Sequence, residues 1–289
     1  MTGMMICVGG VWAEDKVGGR PPAPVGESGP ADWWDRVTFD GEAVHGLERG
    51  VEMEYNLSWN GIIKAGELDV RIELPGGDEE LIEATATGKS TGLARALWEY
   101  DFEMASKVKP EGWEPRGLKF VEEDGKEVTT VETSFVEKGV RYTRSKEYKK
   151  KKMGEPPEPK SYSIVIPRMH DIASAILYLR SLDLADGDEA TVMIVPYDSA
   201  YLVTFRVLGR EEHKSKVGKV PAIKVDVRIK KIHRGTMELE EHKKFKKGTI
   251  WVSDDEYRMP LEIRAAIFVG DVRATITGRG ELAHDRRSG

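Results

Sequence analysis

The residues best able to hold a metal ion or move a proton at neutral pH are the six histidines, and their placement argues against both tasks. His45, His170, His213, His233, His242 and His284 show neither the i, i+4 helical spacing nor the His-x-His strand spacing that aims two ring nitrogens at one ion. His233 and His242 stand around Glu238, Glu240 and Glu241, but that acidic stretch reads more simply as the wet face of a hairpin. The one cysteine, Cys7, excludes disulfides and cysteine-rich zinc sites. Ser174 sits between two alanines, without the Gly-x-Ser-x-Gly elbow of a serine hydrolase. Asp254 and Asp255 have the chemistry of a glycosidase pair. Neighbours on one turn cannot flank a scissile bond at the required separation of about 5 to 9 Å without a third carboxylate. No metal, no cofactor and no catalytic residue is expected.

Residues suited to binding are easier to find. Trp59, Tyr178 and Trp251 offer amphipathic rings, and Arg180, Asp255 and Arg258 offer charge next to apolar chain. These six are the candidate binding residues. An unpaired guanidinium in a core is too costly to keep, so Arg180 must reach water or find a partner.

The element that must position Arg180 is Asp171 to Leu184, DIASAILYLRSLDL, the one long stretch that reads as helix. Asp171 can cap the first turn. Ile172, Ala173, Ala175, Ile176, Leu177, Tyr178 and Leu179 leave almost no polar face, so the helix, 171–182, must be covered all round. It is too short to cross a membrane, which takes about 20 apolar residues.

Almost everything else reads as antiparallel strand. Val51 to Trp59 alternates apolar and polar residues with period two, and Asn60-Gly61 favours a tight type I′ hairpin turn before the return from Ile62. Trp98 to Val108, Gly117 to Glu122, Val128 to Val136, Val140 to Tyr148, Glu189 to Pro196, Ala200 to Gly209, Val217 to Ile232, Thr236 to Phe245 and Gly248 to Ser253 continue the meander. Roughly a dozen strands around one buried helix predict a mainly β fold, a curved antiparallel up-and-down sheet, a barrel or a half-barrel. The lysines of Lys149 to Lys152, followed by Pro156, Pro157 and Pro159, read as a solvated loop.

The ends are organised differently. Residues 1–13 are uncharged and mostly apolar and close on Val11-Trp12-Ala13, a small-x-Ala junction of the kind signal peptidase accepts. Residues 14–46, with Arg20 to Pro30 rich in Pro and Gly, read as a spacer, partly disordered. The Trp33-Trp34 pair at its end reads as closing the lip of the domain. A single domain over 47–278 and a loose tail, 279–289, complete the division. With 44 Lys and Arg against 50 Asp and Glu, the net charge of −6 excludes a general nucleic-acid binder. A chain without thiols after Cys7 is compatible with an oxidising compartment, as export would require.

Three stretches, Tyr55 to Leu68 (YNLSWNGIIKAGEL), Asp171 to Asp188 (DIASAILYLRSLDLADGD) and Gly248 to Ile263 (GTIWVSDDEYRMPLEI), resemble in order and spacing the bacterial family known as domain of unknown function 3108. The resemblance implies an exported envelope protein with no assigned activity. It also places Arg180 in one pattern with Asp254, Asp255 and Arg258; a bidentate pair from Arg180 to Asp255 would latch the helix's end to the last hairpin turn, the alternatives being that Arg180 reaches solvent or binds an anionic group of a ligand at the sheet's mouth. Two functions follow as expectations. One is a non-enzymatic protein holding a lipid-like or other amphipathic ligand, or a partner protein, in the mouth of its curved sheet; the other is an enzyme acting on cell-wall or surface glycans.

Overall fold

Alternation becomes strand wherever it is sustained. The computed structural model describes residues 23–27, 29–39, 47–75, 80–149, 154–243, 245–267 and 270–282; the signal-like stretch, the lysines at 150–152 and residues 283–289 of the expected tail lie outside these, while the tail's first residues, 279–281, belong to the last strand. In chain order the elements are β1 (Val25–Gly26), β2 (Gly29–Pro30), β3 (Val51–Trp59), β4 (Ile63–Glu73), β5 (Ile82–Ser90), α1 (Gly92–Leu97), β6 (Asp101–Val108), β7 (Pro115–Glu123), β8 (Glu127–Val136), β9 (Gly139–Tyr148) and β10 (Lys160–Ile164). Then come α2 (Ile172–Ser181), β11 (Glu189–Ile194), β12 (Tyr201–Ser215), β13 (Gly218–Ile232), β14 (Leu239–Glu241), β15 (Phe245–Ser253), β16 (Pro260–Ile267) and β17 (Asp271–Glu281).

Apart from the β1–β2 ladder, these strands form one 15-stranded sheet in the order β10-β9-β8-β7-β6-β5-β4-β3-β17-β16-β15-β13-β12-β11, with β14 on β13. Every strand pair within it is antiparallel. The meander therefore joins its first and last long strands, β3 and β17, and leaves its two edges in mid-chain, at β10 and β11. Those edges are consecutive in sequence, and α2 is the connection between them. The sheet does not close, but its gap is managed. His170 N–H donates to the Met193 carbonyl at 2.8 Å and the His170 carbonyl accepts from Val195 N–H at 2.8 Å, and Thr38 N–H donates to the Thr191 carbonyl at 2.7 Å. An edge strand so covered cannot recruit a foreign one.

The hairpin at Asn60-Gly61 has both residues at positive φ, +52° and +69°, as a type I′ turn requires. Two strands depart from the sequence reading: β10 was not anticipated, and Thr236 to Phe245 yields only the three residues of β14 before β15 begins. A stretch with Glu238, Glu240 and Glu241 on it has too little to bury to hold a longer ladder.

Two cores result. In the first, Ala175, Leu177, Tyr178 and Leu179 of α2 pack against Val51, Met53, Ile72, Ile82, Val225, Val252 and Leu261 of the surrounding strands. A buried Leu or Ile side chain stabilises by about 1.5 to 3 kcal/mol, so the helix is the centre of this cluster. Its first turn is fixed by reciprocal bonds, Ser174 N–H to Asp171 Oδ1 at 2.7 Å and Asp171 N–H to Ser174 Oγ at 3.0 Å, which satisfy donors that a helix start otherwise leaves free. The second core lies across the gap and joins Val131, Val140, Tyr142 and Ile166 to Met193, Val195, Leu202 and Ile232. Ala31, Trp33, Trp34 and Val37 are buried in it, and Trp33 donates its indole N–H to the Met237 carbonyl at 2.7 Å. This part of the stretch read as spacer is built into the fold.

Candidate ligand-binding site

A cavity of about 570 Å³ opens beside the C-terminal half of α2. Leu179, Leu182 and Leu184 line it from the helix and its exit, Ala190 from β11, and Phe205 and Val207 from β12. Asp183, Asp188, Glu189 and Thr38 supply its polar groups. The segment after α2 produces this wall by alternation: Leu182 and Leu184 turn inward while Asp183 stays at the rim. Asp188 is engaged by its own loop, accepting the Ala185 N–H at 2.9 Å.

Arg180 follows the cavity-lining Leu179 and is buried, but neither it nor any of the other five candidate residues lines this cavity. Its Nε and Nη2 donate to the Tyr257 carbonyl at 3.1 and 2.5 Å. Burial pulls its pKa down to about 10, opposed by the charge of Asp255, so it is still a cation at neutral pH. The expected ion pair is corrected here: the latch from α2 to the last hairpin exists, but its acceptor is a backbone carbonyl. Asp255 is committed elsewhere. Its Oδ1 accepts the Ser253 hydroxyl at 2.6 Å and the N–H groups of Tyr257 and Arg258 at 3.1 Å each, and its Oδ2 lies 3.8 Å from Arg279. A carboxylate that gathers the following amides shapes the turn, so Asp255 presents the Tyr257 carbonyl to Arg180 rather than meeting it directly. Asp254 joins Arg210 at 3.1 Å and the buried Arg258 at 3.6 Å. Burial lowers the pKa of Arg258, against the pull of Asp254.

Of the six residues proposed from sequence, Arg180, Asp255 and Arg258 therefore meet at one end of the sheet. The other three do not. Tyr178 packs its ring 5.6 Å from that of His170 and lines a second cavity, of about 600 Å³, with Arg116, Arg168 and Met193. Trp251 belongs to β15, donating to Glu211 at 2.6 Å between the His213 ring at 5.1 Å and the Arg264 guanidinium at 4.9 Å. Trp59 pairs with Val272, at the opposite end of β16 from the Asp255 turn.

Two buried acid–base groupings went unread in the sequence. At the start of α2, Asp171 accepts from Ser106 Oγ at 2.5 Å and His170 Nδ1 lies 3.1 Å from Ser174 Oγ. Burial lowers the His170 pKa to about 4 and raises that of Asp171, the latter opposed by its hydrogen bonds. On the β12 to β16 side, His213 Nε2 lies 3.5 Å from Glu262, whose other oxygen is gripped by Arg264 at 2.6 Å. Burial lowers the His213 pKa, opposed by Glu262. Ser106 and Asp171, and His213 and Glu262, are far apart in sequence and carry no common motif; the fold alone brings them together. Asp171 was legible as a cap, whereas its reciprocal partner Ser174 was not read as one. Among the described residues, no group of three His, Cys, Asp or Glu side chains could hold a metal ion.

The architecture is an open, barrel-like antiparallel sheet plugged by one helix, with apolar space at the helix's end. The chain belongs to the DUF3108 family, whose description is a protein of unknown function and whose profile matches residues 54–277. No curated protein matches it. Among solved structures it is similar to a β-barrel-like protein of domain of unknown function DUF1849 from Brucella abortus, at 10% identity and a TM-score of 0.55, over 81% of this chain and 98% of that one. That likeness shows the fold alone. A suspected exported protein with a YmcC-like fold from Bacteroides fragilis (8% identity, 83% of this chain and 99% of that one) and a suspected lipoprotein from Parabacteroides distasonis (11%, 83% and 100%) align with TM-scores of 0.35 each.

Proposed function

We propose that this chain is a non-enzymatic, exported protein of the bacterial envelope that holds a lipid-like or other amphipathic ligand in the cavity at the end of α2. The observation that carries the reading is the wall of Leu179, Leu182, Leu184, Phe205 and Val207 around about 570 Å³, a volume within the range of roughly 300 to 1,000 Å³ of small-molecule sites. Asp183, Asp188 and Glu189 at the rim would face the polar end of such a ligand. Export to the periplasm is supported by the Val11-Trp12-Ala13 junction and by the absence of any cysteine after Cys7. No helix among the described residues is long and apolar enough to cross a membrane.

Native mass spectrometry of the protein purified from its own envelope tests the binding half. A co-purifying amphipath that the cavity-filling variant Ala190→Phe fails to retain is expected. A ligand-free mass for the wild-type protein would remove the proposal's support. N-terminal sequencing of the same sample tests export: a start near Glu14 is expected, and an intact Met1 on the mature soluble protein contradicts it.

A further inference from the structure

A third cavity, of about 390 Å³, lies across the gap between the two edges of the sheet. One side of it is β9 and β10, with Tyr142, Arg144 and Tyr162; the other is the connection from β11 to β12, with Asp198, and the chain at the end of β13, with Lys231 and Arg234. It shares no lining residue with the cavity at the end of α2. The two sides are clamped together. The Tyr142 hydroxyl donates to the Asp198 carbonyl at 3.1 Å, and Arg234 Nη2 donates to the Tyr142 hydroxyl at 2.7 Å and to that same carbonyl. Arg234 is thereby held in place before any ligand arrives, which lowers the ordering cost of binding.

The charge of this cavity is not balanced. Three cations, Arg144, Lys231 and Arg234, line it against one carboxylate, Asp198, in a chain whose net charge is −6. Asp198 is taken up by Arg144, whose Nη1 is 3.6 Å from its Oδ2, and by the Ser199 hydroxyl, which donates to its Oδ1 at 3.2 Å. Lys231 and Arg234 are paired with no carboxylate among the described residues. The Nε of Arg144 is buried and has no acceptor among them either, and a buried donor without an acceptor calls for one. The surplus is two positive charges.

We propose that this cavity binds a small phosphate monoester borne on a ring. Guanidinium forks match phosphate oxygens in pairs. A phosphate monoester carries close to two negative charges at neutral pH, as the surplus requires, whereas a carboxylate carries one. The tyrosines address the rest of the ligand. Tyr142 and Tyr162 stack with ring centroids 5.1 Å apart and planes 21° apart, and the Arg234 guanidinium lies 5.5 Å from the centre of the Tyr142 ring. Tyr162 is 40% exposed, so it keeps ring surface on which a second ring can stack. The volume of about 390 Å³ is at the lower end of the roughly 300 to 1,000 Å³ of small-molecule sites, which favours one ring over a long chain.

Calorimetric titration of the full-length protein with phenyl phosphate tests this. Saturable binding is expected for the wild type, and binding about tenfold weaker for each of Lys231→Gln and Arg234→Gln. Tyr162→Ala is expected to weaken phenyl phosphate while leaving the weaker binding of inorganic phosphate unchanged. Lys119→Gln, at an exposed position outside the cavity, is expected to bind as wild type. Lys231 is exposed, so its variant keeps the test valid if Arg234→Gln loses its cooperative melt. No saturable heat in the wild type, or equal affinity in the wild type and Lys231→Gln, overturns the proposal. Benzoate bound as tightly as phenyl phosphate overturns the phosphate assignment. Dihexanoyl phosphatidate bound as tightly, with its phosphate on a diacylglycerol, overturns the ring and assigns the site to a lipid headgroup.

Discussion

Arg180 and Tyr257 are joined by two hydrogen bonds from one guanidinium to one backbone carbonyl, at 3.1 and 2.5 Å, and this contact ties the end of α2 to the turn between β15 and β16. Removing the donor strands a partly buried acceptor, which costs about 1 to 3 kcal/mol. Arg180→Met is therefore expected to lower stability by that amount in urea denaturation. Because Asp255 holds the Tyr257 amide and its charge reaches Arg180, combining Arg180→Met with Asp255→Asn should show a coupling of about 0.5 to 3 kcal/mol. Strict additivity would contradict a turn shared by the two residues.

Leu179 is buried against both the core and the cavity, whereas Ile172, in the first turn of α2, is 44% exposed. Leu179→Ala should cost about 2 to 5 kcal/mol by opening a void, and Ile172→Ala less than about 1 kcal/mol. Equal denaturation midpoints for the two variants would show that the helix is peripheral.

How much of this was readable beforehand depended on the range of the interaction. The helix, its Asp171 cap, the hairpin at Asn60-Gly61 and strands such as β3 rest on neighbours within a few residues, and alternation or capping displays them directly. What joins distant strands left no local trace. The acceptor for Arg180 is a backbone atom, which no residue type advertises, so a carboxylate looked like the natural partner. Trp59, Tyr178 and Trp251 were grouped by type, but the register of β3, α2 and β15 sends them to three separate places. The second core was hidden for the same reason: it borrows Trp33 and Trp34 from a stretch whose Pro and Gly content says only that it is not regular.

That borrowing has a measurable consequence. Trp33 is fully buried, so Trp33→Ala should cost about 3 to 5 kcal/mol, and removal of residues through Thr38 should lower the melting temperature. A truncation without effect would return the segment to the status of a spacer.

The largely buried imidazole of His170 makes stability depend on pH. Burial holds its pKa at about 4 in the fold, against 6.5 for the free side chain. Between these values the unfolded chain takes up a proton that the folded one refuses, so stability is fully present above about pH 6.5 and is lost toward pH 4, by about 3 kcal/mol in all. Asp171, raised by burial, works in the opposite sense: its contribution is present at low pH and is lost as pH rises through its folded value. The difference between wild type and His170→Asn isolates the imidazole. It should shrink as pH falls from 6.5 to 4, and a constant difference over that window would contradict the burial of a neutral ring.

The most direct measurement of the central claim is a calorimetric titration of delipidated protein with a lysophospholipid. The wild-type protein should show saturable, single-site binding with a negative heat-capacity change, the mark of apolar burial. Ala190→Phe, which fills the cavity, and Leu182→Glu, which places charge in its wall, should each abolish that site while retaining a cooperative melt. Absence of saturable heat in the wild type, or an unchanged isotherm in both folded variants, would contradict ligand binding at the end of α2.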